Sequence, residues 1–200
     1  MGGSRLSSSL KEQLIALAQR DLQTRERLAA DQSLFNGYHP EMQAVHKENA
    51  TILKCVIDAH GWPTPEIAGE DGAEAAWLIA QHAIGLPDFQ RKCLRLLKEA
   101  GSSGAVPAWQ AAMLLDRICI FEGKPQVYGT SFDWDEDGLM SPLPIADPAN
   151  VDVRRTAVGL PPLAEAIARH RAQAEMEPKP TSYSERQRSM EEWAKVVGWR

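Results

Sequence analysis

Residues 106–145, VPAWQAAMLLDRICIFEGKPQVYGTSFDWDEDGLMSPLPI, hold the change of texture on which the fold reading turns. Up to Phe121 the apolar residues recur at helical spacing behind Pro107, and Gly123 stops the run. From Gln126 on, QVYGTSFDW is built of residues that suit strands, DEDG supplies an Asp-Gly turn, and LMSPLPI returns. Residues 126–145 therefore read as a β-hairpin or extended flap, with Pro142 and Pro144 keeping the returning strand at an edge.

Working outward, everything else reads as helix. Leu10, Leu14 and Leu17 give a helix over 7–30 behind a serine run that offers an N-cap. Pro40 opens a second helix, which Gly61 and Pro63 close, and Asp71 caps a third that runs to Ala83. Pro87 starts a fourth, ending at Gly101, and Pro107 a fifth. Beyond the hairpin, 161–176 and 183–197 complete about seven helices joined by the linker EPKPTS. The expected fold is mainly α, with one inserted hairpin. Residues 1–176 form the helical domain, and 177–200 a linker and C-terminal helix packing on the body or on a second subunit as a homodimer.

Composition bounds the function classes. The chain has 200 residues, 44% hydrophobic and 24% charged, as a globular protein with its own core requires. A net charge of −5 removes the electrostatic argument for nucleic acid or an anionic membrane as partner. No run approaches the ~18–20 apolar residues of a membrane helix, and MGGSRLSSSL lacks the apolar core of a signal peptide. Cys55, Cys93 and Cys119, an odd number without CxxC spacing, read as small hydrophobes in a reducing compartment. The expected location is the cytoplasm. Tryptophan is over-represented, 6 residues against 4 Phe and 3 Tyr.

Three phrases in combination, HGWP at 60–63, AAWLIAQHA at 75–83 and LLDRICIFEGKPQVYGT at 114–130, resemble an uncharacterised family of bacterial helical proteins. The resemblance spans about residues 10–165 and implies a shared helical fold and no known activity. Ser131 stands where that pattern places Gln after YGT.

Polar residues interrupt the apolar helix faces. Asp21 and Arg25 follow Leu10, Leu14 and Leu17 on the first helix; His46 and Asn49 accompany Met42, Val45 and Ile52 on the second. Gln81-His82 break an apolar third helix, and Asp116-Arg117 break the fifth. Buried charges cost several kcal/mol unless paired, so these groups meet one another or line a pocket for a small polar or anionic molecule. In the pocket reading His82 is the general acid–base, since an imidazole titrates near pH 6.5 (about), and Asp116 orients it. Arg25 and Arg117 receive an anion, and Gln126 and Tyr128 close the site, with Asp21, His46, Asn49 and Gln81 as further contacts. The competing account is a non-catalytic module whose polar residues pair only to fix helix register, Asp21 with Arg25 for example.

No HxH, HxxxH or HExxH occurs, so no metal or other cofactor is expected. The metal alternative is a two-histidine, one-carboxylate set of His46, His82 and Asp116. DWDEDG at 133–138 matches the start of a calcium loop, but its twelfth position is Pro144 rather than Glu, which leaves a solvated turn. GSSG at 101–104 lacks the Lys-Ser/Thr of a phosphate loop.

Overall fold

The computed structural model describes residues 3–35, 37–175, 177–180 and 182–200, with side chains from residue 9 onward. The chain is 69% helical, with eight α-helices and one small antiparallel sheet among the described residues, the mainly α fold with a hairpin that the sequence indicated. It divides into two compact units, Met1–Val106 and Pro107–Arg200. Among the described residues no helix is long and apolar enough to cross a membrane.

The first unit holds α1 (Gly3–Ala30), α2 (Pro40–His60), α3 (Pro65–His82) and α4 (Pro87–Ser102). Three of the four start on a proline at the first helical turn, where a missing N–H leaves no bond unmade. The serine run does not cap α1 but lies within it. Serine lowers helix propensity by only a few tenths of a kcal/mol, about what neighbouring turns offset. The third helix starts before Asp71: Gly69 at φ 70 kinks it, and Asp71 belongs to the segment after the kink.

α1 is the central element and packs most extensively on α3. The contact faces of α3 are small, with Ala68, Gly72, Ala73, Ala76 and Ala80 all buried. A Cβ on Gly72 would come 3.2 Å from the Lys11 Cα, closer than van der Waals contact, so the two backbones touch only because glycine stands there. Lys11 meets Asp71 at 2.5 Å, and ten residues later Asp21 meets His82, so α1 and α3 run in the same direction. α2 runs against α1, with Arg27 on Glu41 and Arg20 on Glu48. Leu14, Leu28, Met42, Leu53, Ile79 and Leu97 fill the space between.

The second unit begins with α5 (Ala108–Phe121) and continues into a hairpin of β1 (Phe132–Trp134) and β2 (Met140–Pro142), paired Phe132 to Pro142 and Trp134 to Met140. Asp135 ties the turn: Oδ1 accepts the N–H groups of Asp137 and Leu139, and Oδ2 accepts the Ser141 hydroxyl at 2.6 Å. The resemblance to a calcium loop ends there, because the chain's own donors occupy this carboxylate. α6 (Val151–Ala157), α7 (Leu163–Ala174) and α8 (Tyr183–Val197) follow. α6 is the helix the sequence concealed: seven residues are too few to display an apolar period. Phe121 on α5 meets Trp193 of α8 and Trp199 just beyond it, each at 5.4 Å between ring centres, so the C-terminal helix packs within this unit.

All three cysteines are free thiols. Cys93 is buried, and burial pushes its thiol up to about 12, which makes it inert at neutral pH. Cys55 is exposed, unlike the buried residue its apolar surroundings suggested.

Candidate functional site

In the first unit the packing of α1 on α2 and α3 assembles a cluster around Asp21. Its carboxylate is 1% exposed, and its Oδ2 accepts a hydrogen bond from His82 Nδ1 at 2.8 Å. His46 Nε2 approaches the same oxygen to 3.3 Å, an ion-pair distance without hydrogen-bond alignment. The two imidazoles lie 5.2 Å apart between ring centres. Burial disfavours the charge on Asp21, but the two imidazoles beside it more than offset that and hold its carboxyl well below the usual range. Asp21 is therefore a fixed negative charge at any neutral pH.

Tyr38 completes the row from the α1–α2 connection. Its hydroxyl lies 2.7 Å from His46 Nδ1, and its ring stacks on that imidazole. Burial, with help from the Asp21 charge, pushes the phenol up, so it stays protonated. No sequence motif marks Tyr38.

Two buried amides support the cluster. Asn49 is fully buried and donates to the Leu17 carbonyl at 2.9 Å, clamping α2 to the turn of α1 that carries Asp21. Gln90, also fully buried, donates from α4 to the carbonyls of Ala80 and Gln81 at 2.7 and 2.9 Å. Those carbonyls belong to the last turn of α3, where the Ala83 N–H, at 3.4 Å from the Ala80 oxygen, continues the helical pattern. Gln90 thus fixes the residues from which His82 projects. The network is nevertheless incomplete: Asp21 Oδ1, His46 Nε2 and Asn49 Oδ1 are buried atoms without a hydrogen-bond partner. His82, with 23% of its side chain exposed, gives the cluster its contact with solvent.

The sequence reading brought Asp21, His46, Asn49, Gln81 and His82 into one polar group, and four helices of the first unit bear them or their supports. It assigned the wrong carboxylate to His82. Asp21 orients that ring, while Asp116 lies in the second unit with both oxygens taken. Asp116 accepts the N–H groups of Val127 (2.7 Å), Tyr128 (3.0 Å) and Thr130 (3.0 Å) and the Thr130 hydroxyl (2.9 Å). In the metal set of His46, His82 and Asp116 the carboxylate is likewise already engaged, by donors of residues 127–130.

Gln126 and the backbone of Tyr128 are fixed within the second unit. Gln126 is fully buried; its amide donates to the Ser131 and Leu143 carbonyls and accepts the Ser131 N–H. The Tyr128 carbonyl takes a 2.7 Å bond from Arg155, a buried guanidinium that also reaches Gly129 and Pro161. Gly129, at φ +69, lies where a Cβ would come 2.9 Å from Ile145 and 3.0 Å from Leu163. Thus the QVYGT phrase encodes a pinned loop. Arg117 is half-buried on α5 in the second unit, and Arg25 is exposed on α1, where Asp21 meets the two imidazoles rather than Arg25.

A family model described as a family of unknown function, DUF6624, matches residues 8–175. Neither the curated proteins nor the solved structures contain a match.

Proposed function

The chain belongs to a family of unknown function, DUF6624, and from its geometry we propose an enzyme acting on a small polar or anionic molecule at the Asp21–His46–His82 cluster. In the ion-free chain His82 transfers the proton and Asp21 fixes its orientation. The observation that carries this reading is the open state of the network: a buried carboxylate holds an imidazole at 2.8 Å while its other oxygen has no partner. A polar core that served only to fix helix register would satisfy its buried atoms, because each unpaired one costs roughly 1–3 kcal/mol. Atoms left unpaired beside a partly exposed imidazole are the arrangement expected of a reactive centre.

A carboxylate on Nδ1 sets the tautomer and stabilises the imidazolium formed during proton transfer. His46 and Tyr38 extend the row behind Asp21. Arg25, exposed four residues after Asp21 on α1, is the cation we assign to an anionic substrate. Hydrolysis, elimination and isomerisation all use such a pair. The net negative charge and the absence of a basic stripe support a small molecule rather than nucleic acid or a membrane as partner, and the free cysteines support a reducing, cytoplasmic setting.

Substrate profiling of the wild type against His82→Gln tests the reading. Turnover should fall by about 10²–10⁴ in the variant, the usual worth of a positioned acid–base group. Nitrogen-15 spectra should place the His82 proton on Nδ1 and lose that preference in Asp21→Asn. Equal turnover by His82→Gln, or a tautomer indifferent to Asp21, would overturn it.

A further inference from the structure

The unpartnered atoms of the cluster point to an occupant. Asp21 Oδ1 is buried without a hydrogen-bond partner among the described residues, and His46 Nε2 lies 3.3 Å from Asp21 Oδ2 without hydrogen-bond alignment. The possible ligand atoms of Asp21, His46 and His82 all lie within 4.8 Å of one another. Two of the separations, 2.8 Å and 3.3 Å, are already those of atoms sharing an ion. Donors bonded at zinc-type lengths stand about 2.8–3.6 Å apart around a tetrahedral or octahedral centre. The third separation is no more than 4.8 Å.

The surroundings match those of a metal centre. Ligating histidines keep their second nitrogen on an oxygen partner, which fixes ring orientation. Tyr38 provides that partner for His46 at 2.7 Å. Its hydroxyl both donates and accepts, so it serves His46 when the proton moves to Nδ1 and Nε2 faces an ion. Gln90 holds the turn that bears His82, and the partial exposure of His82 leaves a water-facing side for an open coordination position.

We propose that Asp21, His46 and His82 bind one divalent first-row transition ion of the zinc class, as a two-histidine, one-carboxylate set open to solvent beside His82. Imidazole donors disfavour magnesium and calcium, which take oxygen ligands. The proposal shares with the acid–base reading only the location of the centre and adds a regulation of it. A bound ion would occupy the ring nitrogens that otherwise exchange protons, so loading would withdraw His82 from proton transfer, and the chemistry the ion would supply there is acidification of a bound water.

Cobalt(II) titration of the full chain after chelator treatment tests this. The wild type should bind one cobalt per chain with visible absorption, and zinc should displace it. His82→Gln and His46→Gln should each weaken binding at least about hundredfold, and Tyr38→Phe about tenfold, as a group behind a ligand does. His82 is partly exposed, so His82→Gln remains informative if the more buried His46→Gln fails to fold; circular dichroism establishes which variants are folded. A wild type without a saturable site, or a folded His82→Gln that binds as tightly, would overturn the proposal. Turnover that depends on His82 in a protein binding no cobalt would sink the metal site alone. One cobalt per chain with turnover indifferent to His82 would sink the acid–base reading alone.

Discussion

Asp21 and Asp116 are 1% and 0% exposed, each sits on a helix face that is otherwise apolar, and each belongs to a different unit. Their partners differ in kind. Asp116 receives three backbone N–H groups and a hydroxyl, all from residues 127–130. These donors are fixed by the covalent chain, and the bonds hold a loop that Gln126, Arg154 and Arg155 pin from other sides. Asp21 faces two imidazoles and keeps one oxygen without a partner. Backbone donors do not change protonation state near neutrality, whereas imidazoles do. Burial therefore does not distinguish these two carboxylates; the nature and completeness of the donor set does.

The sharpest way to break this contrast is an identical substitution at both positions. Asp116→Asn turns an NH2 group toward N–H donors that need an acceptor, and should cost about 2–4 kcal/mol, since each buried donor left unsatisfied costs roughly 1–3 kcal/mol. The urea midpoint would move down accordingly, and a shift worth less than about 1 kcal/mol would make Asp116 something other than a loop anchor. A Gly72→Val substitution comes next. It forces the α1 and α3 backbones apart at their closest approach and should cost about 1–3 kcal/mol as overpacking, while cobalt affinity at Asp21 and His82 falls with it. Unchanged affinity would show that the cluster does not depend on that approach.

Asp21→Asn should cost less than Asp116→Asn, about 1–2 kcal/mol, through loss of the imidazole–carboxylate pairing that holds its carboxyl low. The amide oxygen can keep the His82 bond and its NH2 can take the side where Oδ1 had no partner. A loss as large as that of Asp116→Asn would return Asp21 to the structural class. The smallest effect concerns His170, which stacks on Phe132 at 4.0 Å in the second unit. Burial, with Arg169 and Arg155 nearby, lowers its imidazole below the usual value. The unfolded chain then binds the proton first as pH falls, so the second unit loses stability below about pH 6.5 and keeps it above. His170→Phe should flatten that slope in midpoints measured from pH 7.5 to 5, and an unchanged slope would assign it to other groups.

How much of this was legible follows the range of each signal. Helical spacing, proline starts and glycine stops are local, and together they located six of the helices to within a few residues; the kink at Gly69 displaced the start of α3. The hairpin was legible from Asp135 to Gly138, where turn chemistry lies within four residues. The polar residues on inward faces were legible too, because a helix face follows from spacing alone. Which carboxylate meets His82 was not, since spacing gives the direction of a side chain and says nothing of the neighbour it finds. One available signal went unused: Ala68, Gly72, Ala76 and Ala80 recur every four residues on α3, the pattern of a helix that another backbone approaches closely. It would have favoured intimate packing on α3, though α1 as the partner emerges only from the assembled fold.

The tryptophans supply each unit with an optical probe of its own. Trp62 is buried in the first unit with its indole N–H unpartnered, an environment that shifts emission to the blue. In the second unit Trp134 lies beneath the Lys179 ammonium at 5.5 Å and Trp199 stacks on Phe121, so charge and ring contact alter their brightness. Intrinsic fluorescence of paired Trp→Phe variants can thus follow the two halves separately during unfolding, without a dye or label. The residues that first stood out only by their number make the chain its own two-channel spectrometer.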